Sequence, residues 1–172
     1  MNDFLLILPE EIIAVGALAL MMAAAWVGDR GAAVLTWLAV AILAVAAAFL
    51  PGIADSGGSA FSGLFVADRF AAFAKIVIFA ATIVALLMAS SWVGRGKDYR
   101  AQYPVLILFL ALGMSVMVSA ADLLTLYVGL ELLSLASYVL AAFQRTDTRS
   151  AEAGLKYFVL GALASGILLY GI

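Results

Sequence analysis

Long apolar stretches are the feature that most constrains how this chain can fold. Six runs of about 20 residues, separated by short polar or Gly/Pro-containing segments, lie near residues 8–27, 32–50, 68–92, 104–120, 122–143 and 151–172. A helix needs about 20 apolar residues to cross the roughly 30 Å hydrocarbon core of a bilayer. The sequence therefore predicts an all-α integral membrane protein, a polytopic bundle of about six transmembrane helices forming one domain.

The composition excludes several other classes of protein. Apolar residues make up 67% of the chain and charged residues 12%, against roughly 45–50% and 25% in soluble domains. The net charge is −2 and there is no basic tract, which argues against nucleic-acid binding. The chain contains no cysteine and no histidine, so thiolate chemistry, iron–sulfur ligation, ordinary zinc sites and histidine-ligated haem are excluded. We expect no cofactor and no metal bound by this chain.

The first apolar run begins with ordinary helix-start signals. Pro9 suits the first turn of a helix, and the acidic side chains of Glu10 and Glu11 favour the positive end of the helix dipole. We interpret both carboxylates as start signals. Because no basic region or cleavage pattern accompanies this run, we expect it to be retained and not removed as a signal peptide.

Two segments between the runs carry local signals. Residues 51–59 are rich in Gly and Ser, which is typical of a flexible surface loop, and the apolar piece 61–66 is too short to span a membrane and is expected at its interface. The sequence from Ser119 to Asp122 has the S-x-x-D form of a capping box. We interpret Asp122 as a helix cap and not as a catalytic residue.

The distribution of basic residues predicts the orientation in the membrane. On one side the loops hold only Arg69, whereas the loops after the first, third and fifth runs hold most of the basic side chains. Lys and Arg are retained on the cytoplasmic side, so the amino terminus is predicted to face the periplasm. The basic residues of the predicted cytoplasmic loops are Arg30, Arg95, Lys97, Arg100, Arg145 and Arg149.

Glu131 is the clearest candidate for chemistry, because an ionisable residue inside a span costs about 2.5–3.5 kcal/mol on insertion scales. It lies near the middle of the fifth run, and Tyr127, Ser134 and Tyr138 fall on the same helical face. Such a carboxyl can take up and release a proton when a positive charge approaches, as a proton relay requires. The alternative is a neutral glutamate that holds two helices together by hydrogen bonding.

Two lysines are further candidates. Lys156 follows Glu152 by four residues in the sixth run, so it is either a functional charge or a paired lysine whose ammonium extends to the interface. Lys75 lies one heptad after Asp68, at a depth similar to that of Glu131. It could pair with Glu131 only if the third and fifth helices touch.

Small residues at four-residue spacing mark one face of the sixth run. They are Gly161, Ala162, Ser165 and Gly166. Such residues let another helix approach closely, so we interpret them as a packing surface and not as a catalytic signal.

Residues 122–138, DLLTLYVGLELLSLASY, resemble a signature of the antiporter-like membrane subunits of respiratory complex I, the proton-translocating NADH:quinone oxidoreductase. Residues 149–162, RSAEAGLKYFVLGA, are similar to the subunit N family. The L and M families usually carry Trp before the glutamate, whereas this chain has Leu130 before Glu131. The resemblance is specific from about Asp122 onward.

The resemblance implies a longer protein of about fourteen helices with inverted repeats, of which this chain is expected to be the amino-terminal part. It implies that Glu131 modulates a pumping lysine and that Lys156 belongs to the proton pathway. Expected partners are other membrane-arm subunits in the bacterial inner membrane, with FMN, iron–sulfur clusters and quinone held by partner subunits. Two alternatives stay open, a subunit of a multicomponent cation/proton antiporter and a purely structural membrane anchor.

Overall fold

The computed structural model describes residues 3–92, 100–144 and 146–172. Three of the basic residues used to predict the orientation, Arg95, Lys97 and Arg145, lie outside the described residues. Six helices in the described part are long and apolar enough to cross a membrane, which confirms the all-α membrane fold. The helices are α1 (Asp3–Leu6), α2 (Leu8–Val27), α3 (Ala32–Ser56), α4 (Arg69–Trp92), α5 (Gln102–Ser119), α6 (Leu123–Ala141) and α7 (Thr148–Gly171).

The second spanning helix, α3, is longer than the sequence predicts. It continues through Pro51 and ends at Ser56, so the expectation of a surface loop over 51–59 is wrong for most of its length. The helix stops at Gly57, which has a positive φ of 57° and donates its backbone N–H to the carbonyl oxygen of Ile53 at 3.0 Å. Glycine adopts this left-handed conformation without steric penalty.

A β-hairpin follows α3. Strand β1 (Gly58–Ala60) pairs antiparallel with β2 (Phe65–Ala67), with Ser59 opposite Val66. The apolar piece 61–66, expected at the membrane interface, therefore forms the turn of the hairpin and most of its second strand. Its pairing contributes backbone hydrogen bonds that a loop of this composition would otherwise leave to water.

Two long-range hydrogen bonds attach the hairpin to the helices. The carboxylate of Asp3 accepts the backbone N–H of Phe61 at 3.0 Å, and Ala121, between α5 and α6, donates its N–H to the carbonyl of Leu64 at 3.0 Å. The hairpin thus joins the amino terminus to the α5–α6 turn. We call this end of the bundle, where α4 and α6 begin, the hairpin end.

Helix α5 lies at the centre of the bundle and contacts α2, α3, α4 and α6. Its backbone touches that of α6 where two glycines face each other: a Cβ added to Gly113 would lie 2.7 Å from the carbonyl oxygen of Gly129 and 2.7 Å from the nitrogen of Leu133. Helix α7 packs against α6 at the edge of the bundle. The largest fully buried apolar side chains include Ile13, Leu43, Phe79, Leu86 and Leu108.

Candidate functional site

Glu131 is carried by α6, on the helix that α5 contacts through Gly113 and Gly129. Its side chain is half-buried, and its position is about 12 Å along the axis from Leu123, where α6 begins. The Oε1 atom is shielded from solvent and has no hydrogen-bond partner among the described residues. This oxygen is therefore able to accept a hydrogen bond or a proton from a group that is not part of the described chain.

Two residues of the polar face predicted beside Glu131 lie next to α7. Ser134 and Tyr138 of α6, together with Ser165 of α7, line a cavity of about 280 Å³ between the two helices. Tyr127, one turn before Glu131, is half-buried. The structure thus places the hydroxyl groups of Ser134 and Tyr138 beside α7, where they can bind water.

Gly161 makes room for the Tyr138 side chain. A Cβ at residue 161 would lie 1.9 Å from the phenol oxygen of Tyr138. The ring of Tyr138 also makes edge-to-face contacts with Tyr157 and Phe158, with centroid distances of 4.7 and 5.8 Å. The small-residue face of α7 therefore receives a side chain, and Gly161 sets where the Tyr138 hydroxyl lies.

Lys156 lies on the exposed surface of α7. Its ammonium is 2.5 Å from the Glu152 carboxylate, and the two side chains are 70% and 63% exposed. This is the (i, i+4) pair expected from the spacing. Within the described chain, Lys156 thus pairs with Glu152, and its role in proton transfer stays a prediction.

Lys75 pairs with Glu10 and not with Glu131. The Nζ atom of Lys75 lies 2.7 Å from Oε1 of Glu10, and the side chains are only 3% and 8% exposed. The interpretation of Glu10 as a mere helix-start signal is therefore wrong, although Glu10 does lie in the first turn of α2. Asp68, on the same face as Lys75, instead accepts the backbone N–H of Ala71 at 2.6 Å at the start of α4.

Ser115 of α5 completes this second polar cluster. Its buried hydroxyl donates to Oε1 of Glu10.

The cluster of Glu10, Lys75 and Ser115 was not predicted from the sequence because Glu10 lies beside Pro9 and Glu11, which suggests a helix start. The available signal was the presence of two opposite charges inside separate apolar runs, Glu10 and Lys75.

Asp122 is the N-cap of α6, which confirms its interpretation as a cap. Its carboxylate accepts the backbone N–H groups of Leu124 and Thr125 at 3.0 and 3.1 Å. Hydrogen bonds from the Thr125 hydroxyl, then from the backbone of Thr125 and Leu124, hold the pKa of Asp122 below its usual range. Ser119 is the last residue of α5, so the two residues do not form a capping box within one helix.

Comparison with known protein families gives a match in the carboxyl-terminal part of the chain. A family model described as "NADH:quinone oxidoreductase/Mrp antiporter, TM" matches residues 120–172. This range contains Glu131, the cavity-lining hydroxyls and Lys156.

Curated relatives match nearly the whole chain. NADH-quinone oxidoreductase subunit N of Rhizorhabdus wittichii is 61% identical over 168 residues, which are 97% of this chain and 35% of that protein. The subunit N proteins of Erythrobacter litoralis and Rhodobacter capsulatus are 57% and 48% identical, with coverage of 97% and 98% of this chain and 35% of each relative. The chain therefore spans about a third of the length of these relatives.

Solved structures share the same fold. A chain of respiratory complex I from Thermus thermophilus superposes with a TM-score of 0.75 at 30% identity, over 95% of this chain and 35% of that one. A chain of an archaeal membrane-bound sulfane sulfur reductase superposes with a TM-score of 0.80 at 22% identity, over 97% and 36%. At that lower identity the second likeness concerns the fold alone.

Proposed function

This chain is a homologue of subunit N of NADH-quinone oxidoreductase over 35% of the relatives' length, and we propose that it takes part in proton translocation across the membrane. Electron transfer from NADH to quinone, which supplies the energy, takes place in partner subunits. The protein is thus one subunit of a translocase, and its own residues move or stabilise protons.

The carboxyl of Glu131 carries this proposal. It lies inside a spanning helix, and its Oε1 atom is buried without a partner in the described chain. Its helical neighbours Ser134 and Tyr138 line a cavity between α6 and α7. Burial disfavours the charged carboxylate, whereas an approaching cation favours it. Glu131 can therefore bind a proton when no cation is near and release it when one approaches.

The other predicted residues have supporting roles in this proposal. Lys156 supplies a positive charge to the proton path, held in its exposed position by Glu152. The hydroxyls of Tyr127, Ser134 and Tyr138 hold water or donate hydrogen bonds beside Glu131. No proton-path role is assigned to Lys75 next to Glu131, because its ammonium lies against Glu10.

The proposed surroundings follow from the same homology. We place the protein in the bacterial inner membrane, with its amino terminus in the periplasm and other membrane-arm subunits as partners. FMN, iron–sulfur clusters and quinone are bound by partner subunits. The names of the relatives favour the oxidoreductase over a cation/proton antiporter, and an anchoring role is distinguished from a relay by the following experiment.

The test replaces Glu131 by Gln in the full-length subunit within the assembled complex. Gln preserves the volume and the hydrogen-bonding ability of the side chain but does not titrate. We expect the Gln variant to assemble, on a native gel, and to translocate fewer protons per NADH oxidised in membrane vesicles. Glu131→Asp, which still titrates, should retain part of the translocation.

Two outcomes contradict the relay. Wild-type translocation by a fully assembled Glu131→Gln complex shows that titration is not needed. Loss of assembly in the Gln variant, with normal assembly in the Asp variant, favours the structural anchor.

A further inference from the structure

Glu10 and Lys75 are the two charged side chains of the described chain that are almost completely buried. Removing a charge from water costs several kcal/mol, and a buried ion pair rarely stabilises a protein more than two well-packed apolar side chains would. Stability alone therefore does not explain why two spanning helices carry these charges. A group that exchanges protons, by contrast, has to be ionisable, and an ionisable residue inside a spanning helix is a candidate for function.

The hydrogen bonds of the cluster leave one carboxylate oxygen free. The Lys75 ammonium and the Ser115 hydroxyl both approach Oε1 of Glu10. Oε2 of Glu10 is buried without a partner in the described chain, and so is the hydroxyl of Ser119, one turn further along α5. An unpaired buried carboxylate oxygen is costly, so Oε2 is the atom at which a proton or a water molecule would bind.

The cluster lies close to the hairpin end of the bundle. Glu10 is in the first turn of α2, Lys75 is about 9 Å along α4 from Arg69, and Ser115 is about 6 Å from the end of α5 at Ser119. The ring of Phe65, in strand β2, lies 4.7 Å from the Lys75 ammonium. A cation over an aromatic face is stabilised when it is shielded from water, so the hairpin both covers Lys75 and helps to hold its charge.

We propose that Glu10 is a second proton-exchange site of this subunit, with Lys75 and Ser115 as its positioning residues. A hydronium ion transfers one proton to Oε2 of Glu10: one O–H bond of the hydronium breaks and leaves a water molecule, an O–H bond forms at Oε2, and the cluster changes from neutral to a single positive charge. The reverse transfer to water breaks that bond and restores the ion pair. This inference rests on the proposed function, since it adds a site to the same proton translocation.

The test distinguishes a proton-exchange site from a purely structural ion pair. One charge or both are removed in the full-length subunit of the assembled complex. In Glu10→Gln, the amide oxygen still accepts hydrogen bonds from Ser115 and Lys75, but the group no longer titrates. The double variant Glu10→Gln/Lys75→Met removes both charges, so that no unpaired buried ion is left to destabilise the fold. Glu11→Gln is the matched control, because Glu11 is the neighbouring half-buried carboxylate of the same helix.

We expect the double variant and the control to assemble like the wild type. The double variant should translocate fewer protons per NADH oxidised, and the control should keep the wild-type ratio. A wild-type ratio in the assembled double variant overturns the proposal, and so does failure of both Glu10 variants to assemble. Glu131→Gln is measured in parallel. A wild-type ratio of protons translocated per NADH oxidised in Glu131→Gln overturns the proposed function as well. A wild-type ratio in the Glu10 variants alone overturns only this inference.

Discussion

The contact between α5 and α6 leads to a stability prediction for Gly113. Its position is so close to α6 that an added Cβ would lie 2.7 Å from two backbone atoms, the oxygen of Gly129 and the nitrogen of Leu133. Favourable contacts begin at about 3.5 Å, so the two backbones would have to separate by roughly 0.8 Å. Neither atom belongs to a flexible side chain, and the strain cannot be relieved by a change of rotamer.

The expected magnitude is a balance of two effects. Overpacking of this kind costs about 1–3 kcal/mol, whereas replacing a helical glycine by alanine gains about 0.5–1 kcal/mol. Taking the middle of both ranges, we therefore expect Gly113→Ala to lower the stability of the subunit by about 1 kcal/mol. Since α6 also carries Glu131, we expect proton translocation to fall with it.

The assay is the temperature at which the assembled complex is lost from a native gel after heating of membranes. Gly52→Ala is the matched control, because Gly52 also lies within a spanning helix but a Cβ there meets nothing within 4 Å in the described chain. We expect the control to match or slightly exceed the wild type. Equal stability of the two variants would refute the backbone contact between α5 and α6.

Three further predictions concern the site and the topology. Lys156→Arg should assemble but pump less, because arginine extends to the interface as lysine does yet cannot release a proton; normal pumping favours an anchoring role. Gly161→Ala should displace the Tyr138 hydroxyl, whose oxygen would lie 1.9 Å from the new Cβ, and should reduce translocation more than it reduces assembly. Single cysteines at the exposed positions Ser59 and Thr146 should react with an impermeant thiol reagent from the periplasmic and cytoplasmic sides, respectively, and labelling from one side contradicts the predicted orientation.

Local signals in the sequence predicted the helical content well and the connection after α3 poorly. The prediction of six spanning helices is confirmed, because the apolar length needed to cross a bilayer can be read from consecutive residues. The β-hairpin was missed because its position depends on Asp3 and Ala121, which are distant in the chain. The surface loop predicted over 51–59 is likewise wrong for most of its length, since the chain remains helical to Ser56.

The membrane class, the spanning helices and the presence of Glu131 within one of them can be read from consecutive residues, since each follows from the transfer of neighbouring residues into a bilayer. Which charges meet, in contrast, depends on how the helices pack in the folded chain. Lys75 lies against Glu10 and not against Glu131, because pairing between helices depends on their rotation and on which neighbours they contact. Helix rotation and the choice of neighbouring helices are set by packing between distant segments, such as the contact of Gly113 with Gly129. Hydropathy along the chain does not encode this packing.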